Sequence, residues 1–265
     1  MKPRFSFGRL GWLVAGVSIY ALGCQTMPAP RIALDPADPR PLAFVKDLAE
    51  TAAARSTLRG ALRLSLDAPD LSFRRPQRLA LRRPSDLRVE VLGLFGQIAA
   101  ILVTDGVTYQ RFNASDGSFE SGDVTPDLLW RVARFAMQPD ELVDLLLGAP
   151  RPSPKTSLAN AYAEPGDGLS VGYRDADGRL REQFGFDRRG QLIAFTRFSL
   201  NGEVDWKANF SDYRDVSGSR FAFDVRLNFP ALNARAALRF DHAALDPTLG
   251  DEVFALRAPG GVGPQ

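Results

Sequence analysis

Apolar and polar residues alternate along most of this chain, and the alternation is clearest in its second half. The stretch F-A-F-D-V-R-L-N-F at 221–229 has an apolar side chain at every second position, and the stretches at 180–186 and 204–210 behave alike. A period of two is typical of strands that bury one face. Short turn sequences such as D-A-D-G at 175–178 separate these stretches. The sequence therefore predicts a meandering antiparallel sheet.

The same alternation is present in the first half, from residue 57 onward. It includes 58–66 and 87–91, whereas I-A-A-I-L-V at 98–103 is apolar on both faces, as in a strand covered on each side. We predict a mainly β fold with a curved sheet of about 11 strands, because no strand–helix–strand alternation is present. A sheet of that size must close on itself, be plugged by helices or hold a ligand.

Three segments depart from the period of two and show helical spacing. In 42–55, Phe44, Val45, Leu48 and Ala52 fall on one helical face. The segments 126–136 and 139–147 each begin with a proline in the first turn. These three short helices are the candidates for a plug or lid over the sheet.

The first 23 residues have the layout of an export signal. A basic start precedes an apolar run of about 14 residues, which is shorter than the roughly 20 that a membrane-spanning helix needs. The stretch A-L-G-C ends this segment and contains the chain's one cysteine, Cys24, which has no partner for an internal disulfide. The stretch resembles a bacterial lipobox, and this implies that Cys24 carries lipid chains. The alternative is an uncleaved signal anchor with a spectator cysteine.

Beyond residue 23 the chain divides into three parts. Residues 24–40 are rich in proline, which predicts an acylated cysteine followed by an extended tether. A folded domain at 41–257 and a flexible tail at 258–265 follow. Removing the segment 1–23 leaves 30 basic against 31 acidic residues, a net charge of about −1. This balance gives no reason to expect a nucleic-acid partner, which normally binds a basic domain.

Residues suited to catalysis are sparse. His242 is the one histidine, so neither a Ser-His-Asp set nor a zinc cluster of cysteines and histidines can be assembled around others. Asp175 and Asp177 resemble the start of a calcium loop, but a turn explains them equally well. The adjacent acids Asp251 and Glu252 form a commonplace pair. We expect no enzymatic activity, no metal and no cofactor.

One predicted turn has an unusual composition. The stretch V-E-V-L-G-L-F-G-Q-I at 89–98 places Leu94 and Phe95 between two glycines. Glycines favour a tight hairpin, yet the tip of a hairpin usually carries polar residues. The apolar pair therefore either forms an exposed tip or folds back under a helix.

The order of these features resembles the LolA/LolB group of lipoprotein carriers and receptors. The shared order comprises the signal and lipobox, the tether, the first helix, the step at Arg59–Gly60, the apolar hairpin, two midchain helices ending in L-G-A-P, and the final sheet. The likeness spans residues 40–257 and is greatest to the outer-membrane lipoprotein receptors (LolB). It implies an incomplete antiparallel β-barrel with a lid of short helices over an apolar cavity that holds acyl chains. It also implies a lipid-anchored protein on the periplasmic face of the outer membrane. The implied partners are acyl chains of lipoproteins or other lipids, a periplasmic LolA-like carrier and the outer-membrane bilayer.

The resemblance also assigns roles to particular residues. Phe95, with Leu94 where the family often has proline, corresponds to an exposed residue that places lipoproteins into the membrane. Trp206 corresponds to a tryptophan that lines the cavity, and Leu145 takes the position of another aromatic residue. Inward-facing residues of the alternating strands complete the expected cavity, namely Phe184, Phe186, Phe221, Phe223 and Val225. An ordinary packed core is the alternative for all of these buried residues.

Two further alternatives follow from the sequence. The six arginines between 74 and 88 form either a solvated outer strand face or a contact with anionic head groups beside the hairpin. The expected function is non-enzymatic insertion of lipoproteins into the outer membrane. The alternative is a membrane-anchored structural or binding lipoprotein that uses the same barrel for another hydrophobic ligand or for a protein partner.

Overall fold

The alternating segments form a single antiparallel sheet of 14 strands in a computed structural model that describes residues 32–256. In chain order the strands are β1 (Ile32–Ala33), β2 (Thr57–Ala68), β3 (Leu71–Arg82), β4 (Asp86–Leu92), β5 (Ile98–Thr104), β6 (Thr108–Asn113), β7 (Ser118–Asp123), β8 (Ser157–Glu164), β9 (Gly168–Arg174), β10 (Leu180–Phe186), β11 (Leu192–Phe198), β12 (Val204–Val216), β13 (Ser219–Phe229) and β14 (Ala234–Leu245).

The sheet consists of two meanders joined side by side. Strands β2 to β7 each pair with the next along the chain, and so do strands β8 to β14. Pairing of β14 with β2 joins the meanders, with Leu238 opposite Leu64. Strands β1 and β7 are the two edges and do not pair with each other, so the sheet stays open. The expected incomplete antiparallel barrel is confirmed.

Three α-helices lie within residues 32–256. They are α1 (Arg40–Ala54), α2 (Leu128–Ala133) and α3 (Pro139–Leu146). Helix α3 begins with a capping box, in which the Gln138 backbone N–H donates to the Glu141 carboxylate at 2.9 Å. All three predicted helices are present, with ends that differ by up to three residues from those expected. No helix in this part of the chain is long and apolar enough to cross a bilayer.

The helices cover one face of the sheet, here called the inner face. Leu62, Leu64 and Leu66 of β2 point to this face and are buried, whereas Arg59 and Arg63 on the other, outer face are exposed. Buried leucines of α2 and α3 join the strand residues in one apolar core. The period of two in the sequence therefore reports which residues face the helices.

The strand number and the tether differ from expectation. The sheet has 14 strands, because short strands with few apolar residues, such as β1 and β7, extend it at both edges. The end of the segment 24–40 belongs to the fold, since Ile32 and Ala33 pair with Ala163 and Tyr162, and Arg40 begins α1. The signal 1–23, Cys24 and the tail beyond 256 lie outside the described residues.

Candidate functional site

A cavity of about 340 Å³ lies between the inner face of β2–β6 and the helices α2 and α3. Its volume falls in the range of small-molecule sites in proteins, about 300–1,000 Å³. The lining is apolar except for four residues, which are Arg75, Gln77, Arg111 and Asn113. The cavity thus offers a mostly apolar interior with a few polar groups, a composition that suits a ligand with a hydrocarbon part.

Small side chains leave this volume empty. Ala100 of β5 lies directly opposite Val91 of β4 and Asn113 of β6, so the middle of the wall carries little bulk. Helix α2, which covers this part of the sheet, has six residues and contributes Leu129, Val132 and Ala133 to the lining. Protein interiors are normally close-packed, so a wall of this kind under a short helix produces a hollow.

The cavity lies at one end of the sheet, where the β2–β3 and β4–β5 hairpins turn. Strand β3 extends past the end of β4, because Gln77 pairs with Val91 and residues 71–75 have no partner in β4. Leu71 and Arg75 of this extension line the cavity and are exposed. They mark its opening to solvent.

The apolar hairpin tip stands at the same end and points into solvent. Phe95 is 95% exposed and Leu94 is 83% exposed, so the pair does not fold back under a helix. The tip starts two residues after Val91, which lines the cavity. The exposed aromatic side chain and the cavity opening are therefore neighbours at one end of the molecule.

Hydrogen bonds hold the tip in one conformation. The Gly93 N–H donates to the Gln97 carbonyl at 2.8 Å, and the Phe95 N–H donates to the Gln97 side-chain Oε1 at 3.0 Å. Gly96 has a φ of +79°, which favours glycine, and a Cβ on Gly93 would clash with the Gln97 amide at 2.4 Å. The two glycines thus shape the turn that presents Leu94 and Phe95.

Two arginines anchor the end of α3. Arg55 donates to the Leu147 carbonyl at 2.8 Å and to the Ser219 Oγ at 2.7 Å. Arg83 donates to the Ala149 carbonyl at 3.0 Å and forms an ion pair with Asp144 of α3. Burial lowers the pKa of Arg55, and it lowers the pKa of Arg83 to about 10, so Arg83 remains charged at neutral pH.

Helix α2 packs on the sheet through the buried Leu128 and Leu129, and an ion pair at the surface holds its C-terminal end. Arg134 ends the helix with a left-handed φ of 58°, and its guanidinium lies 2.5 Å from the carboxylate of Asp70 in the β2–β3 turn. The hydrogen bond from Arg134 lowers the pKa of Asp70. Asp70 and Arg134 therefore connect the covering helix to the hairpin at the open end of the cavity.

The residues expected to line an acyl-chain cavity lie in the packed half of the core. Phe184 packs on Phe195 with ring centroids 4.5 Å apart, and Phe195 packs on Trp206 at 5.2 Å. Phe221 packs against Phe223 at 5.8 Å, and Phe186 packs against Phe44 of α1 at 5.8 Å. Leu145 and Val225 are also buried.

None of these seven residues lines the 340 Å³ cavity. Phe184 borders a separate space of about 350 Å³ beside α1, and Trp206 borders a polar cleft of about 440 Å³. In that cleft Arg197 forms ion pairs with Glu141 of α3 and with Glu182, which is buried in β10. The role of the seven residues in acyl-chain binding stays a prediction, since the structure brings them together as a packed aromatic core.

The residues that the sequence offered for a metal site or for catalysis lie in turns, in ion pairs or on the exposed surface. Asp175 accepts hydrogen bonds from the backbone N–H groups of Asp177 and Arg179 at 3.1 and 2.9 Å, so it stabilises a turn. His242 is exposed on the outer face, and Asp251 pairs with Arg82 at 2.8 Å. Residues 32–256 contain no group of three side chains able to hold a metal ion.

The six arginines between 74 and 88 do not form one surface. Arg74 and Arg78 are exposed on the outer face, as a solvated strand face requires. Three others make specific contacts: Arg82 with Asp86, Arg83 with α3, and Arg88 with Glu90. Arg75 faces inward at the cavity opening.

The sequence contains an indication of the cavity in strands β3 and β5, which is less conspicuous than the aromatic residues of the second half. In the stretch Q-R-L-A-L at 77–81, Gln77 occupies a position whose alternation with Leu79 and Leu81 points it inward. A polar residue in an inward register and two adjacent alanines, Ala99 and Ala100, identify the wall of the hollow.

Comparisons with known proteins support the fold. No family model matches the chain, and no curated protein matches it in sequence. Solved structures do match. A domain assigned to outer-membrane lipoprotein sorting, from Vibrio parahaemolyticus, has a TM-score of 0.54 at 9% identity over 80% of this chain and 95% of its own.

Two further structures are similar over comparable lengths. A LolA superfamily protein from Nitrosomonas europaea has a TM-score of 0.51 at 10% identity, covering 80% of this chain and 97% of its own. A DUF1329 family protein from Desulfovibrio piger has a TM-score of 0.51 at 9% identity, covering 82% and 98%. At such low identity the likeness establishes the fold, and the narrower likeness to the LolB receptors stays a prediction.

Proposed function

For a chain with the fold of the LolA superfamily, we propose a function in lipoprotein transfer: it binds acyl chains of lipoproteins in the cavity between β2–β6 and α2, and it helps to insert them into the outer membrane. The observation that carries the proposal is the position of an exposed apolar hairpin tip beside the opening of an apolar cavity. The cavity would shield the chains from water, and the tip would bring the opening to a lipid surface.

The energy of the tip suits a reversible contact. Burial of one large apolar side chain is worth about 1.5–3 kcal/mol, so Phe95 with the help of Leu94 supports a short dip into the bilayer. Permanent attachment requires more apolar surface, which lipid chains on Cys24 would supply. In this proposal Cys24 anchors the protein to the periplasmic face of the outer membrane, and a soluble periplasmic carrier with a similar fold delivers the cargo.

Transfer of this kind needs no covalent chemistry. The acyl chains move from carrier to cavity to bilayer because each successive site offers them a lower free energy, and release into lipid is the final step. Helix α2, held by the Asp70–Arg134 ion pair, is the element that would move to open the cavity. Helix α3 would stay fixed, since Arg55 and Arg83 bind its end.

The test is delivery of a triacylated lipoprotein to liposomes by the full chain and by its Phe95→Glu variant. A charge at the tip opposes entry into lipid, so we expect the variant to bind the lipoprotein normally but to deliver little of it. Val107→Glu is the matched control, because Val107 is also an exposed apolar turn residue (70%), at the opposite end of the same strands.

Three outcomes separate the possibilities. Retained binding with failed delivery in Phe95→Glu, and normal delivery in Val107→Glu, supports the proposal. Normal delivery in both variants contradicts the role of the tip. Binding without delivery in the unmodified chain favours a binding lipoprotein instead of a transfer protein.

A further inference from the structure

One polar side chain inside the apolar cavity has no partner in the protein. Gln77 is 7% exposed and lines the cavity, its carboxamide forms no hydrogen bond with any residue in 32–256, and its nitrogen and oxygen remain accessible from the cavity. Its cross-strand neighbours on the inner face are Leu62 and Val91, which offer no polar group. An amide that is shielded by the protein but accessible from a cavity takes its hydrogen bonds from water or from a ligand, so this one can bind the polar group of a ligand.

An unpaired positive charge lies beside it. Arg75 precedes Gln77 by two residues in β3, so both side chains point to the inner face about 7 Å apart along the strand. Arg75 is exposed at the cavity opening, and its guanidinium has no ion-pair or hydrogen-bond partner among the described residues. Arg111, the other cation of the lining, lies 3.7 Å from Glu120 and is thereby balanced.

The rest of the cavity lining indicates how a bound ligand would be oriented. Beyond Gln77 the wall formed by β3–β5 is apolar and includes Leu79, Val89 and Leu102, and Leu142 and Leu146 of α3 are the buried residues above it. The cation of the next strand, Arg111, lies opposite Leu102 and is paired with Glu120. A ligand with a polar head and a hydrocarbon tail fits with its head at Arg75 and Gln77 and its tail toward α3. The head then lies at the end of the molecule that carries Phe95.

We propose that the cavity binds an acyl chain with an anionic oxygen head group, which Arg75 and Gln77 bind at the opening. This inference rests on the proposed acyl-chain binding and adds a class of ligand to it, since the acylated cysteine of a lipoprotein carries neutral ester and amide groups. The head is a carboxylate, as in a free fatty acid, or a phosphate, as in a phospholipid. Guanidinium and amide N–H groups donate hydrogen bonds to a carboxylate and to a phosphate. The positive charge of Arg75 additionally attracts these anions, and it attracts a neutral ester much less.

The test is displacement of a fluorescent fatty acid, dansyl-undecanoate, from the full chain in digitonin, a neutral detergent that has no acyl chain. The competitors are dodecanoate, dodecyl phosphate and dodecanol, which share one chain and differ in the head. We expect at least one anion to displace the probe at about tenfold lower concentration than dodecanol, because charge-assisted hydrogen bonds are stronger than neutral ones. The anion that competes better identifies the head group.

Two variants locate the effect. Arg75→Gln should remove the advantage of the anions, and Gln77→Leu should weaken both anions and dodecanol. Arg74→Gln is the control, since Arg74 lies next in sequence but on the outer face, where it donates to the Ser65 Oγ at 3.2 Å. It should keep the advantage.

The inference is overturned if dodecanol competes as well as both anions, or if Arg75→Gln keeps the advantage. In either case delivery of the triacylated lipoprotein remains a separate measurement, so the proposed transfer function can stand. If no acyl compound displaces the probe, the inference is also overturned, and the delivery assay alone decides the transfer function.

Discussion

The two meanders of the sheet share the same alternating pattern, but one has a packed interior and the other encloses a cavity. On strands β9–β13 the inner face is aromatic, and rings such as Phe184, Phe195 and Trp206 pack in a continuous row under α1 and α3. On strands β2–β6 the inner face is mainly aliphatic, with alanine at its centre, a few polar side chains and the six-residue α2 above it, and a cavity remains.

This difference shows that the size of inward-facing residues does not identify a binding cavity. Large rings fill the space that they enclose, particularly where a 15-residue helix such as α1 packs against them. A wall of Val, Ala and Leu under a short helix is less able to fill its own volume. The half of the molecule with less apolar bulk is therefore the better candidate for taking up hydrocarbon.

The largest expected effect is on the packed half. Phe184→Ala should lower the free energy of unfolding by about 3–5 kcal/mol, because it removes a fully buried ring from an aromatic row. Urea denaturation followed by circular dichroism measures this change. Phe95→Ala should change stability by less than about 0.5 kcal/mol, since the ring is exposed. A small loss in Phe184→Ala would mean that the aromatic half is not close-packed.

The second prediction compares one enlargement in both halves. Ala208→Leu should cost about 1–3 kcal/mol, because Ala208 is fully buried in the aromatic half and has no room for three more carbons. Ala100→Leu should leave stability nearly unchanged, since the added atoms enter the cavity. The same urea titration tests both variants. Equal losses would contradict the difference in packing, and Ala100→Leu should also reduce binding of acyl chains.

The third prediction concerns Gln77 in the unliganded protein. Gln77→Leu should raise the free energy of unfolding by up to about 1 kcal/mol, because it replaces an amide that has no partner in the protein, inside a mostly apolar cavity, with an apolar side chain. Gln110→Leu serves as a contrast, since the Gln110 Oε1 accepts a hydrogen bond from the Leu256 N–H at 2.7 Å, and its loss should destabilise. A destabilised Gln77→Leu variant would show that the amide already has a partner in solution.

The smallest effect is on the attachment of α2. The ion pair with Arg134 lowers the pKa of Asp70, so its stabilising contribution is present above the ordinary aspartate pKa of about 3.9 and is lost as the pH falls through the lowered value. Amide hydrogen exchange in 128–134, corrected for intrinsic rates, should therefore become faster in acid. Asp70→Asn should exchange fast at all pH values. An identical pH response in this variant would exclude Asp70 as the group that titrates.

The sequence predicted the helices and strands better than it predicted how they pack against one another. Helical spacing located α1 from Phe44, Val45 and Leu48, and alternation assigned the inward residues of β13 correctly. It could not show that Phe44 packs on Phe186, because that contact joins residues far apart in the chain. Whether a wall is filled or hollow depends on such contacts, so the position of the cavity required the structure.

The hairpin tip illustrates the same limit. Two glycines predicted a turn at 93–96, but both an exposed and a buried tip were compatible with the sequence. The side chain of Gln97 favours the exposed tip, since it accepts a hydrogen bond from the Phe95 N–H and leaves the ring in solvent. A local side-chain contact of this kind leaves no periodic signature.

The unpaired edges of the sheet have a mechanical consequence. A closed barrel has a fixed circumference and must break backbone hydrogen bonds to widen, whereas β1 and β7 share no such bonds. Widening of the cavity at this open side would therefore break side-chain contacts and no backbone ladder. A cargo larger than the 340 Å³ cavity would meet that lower resistance.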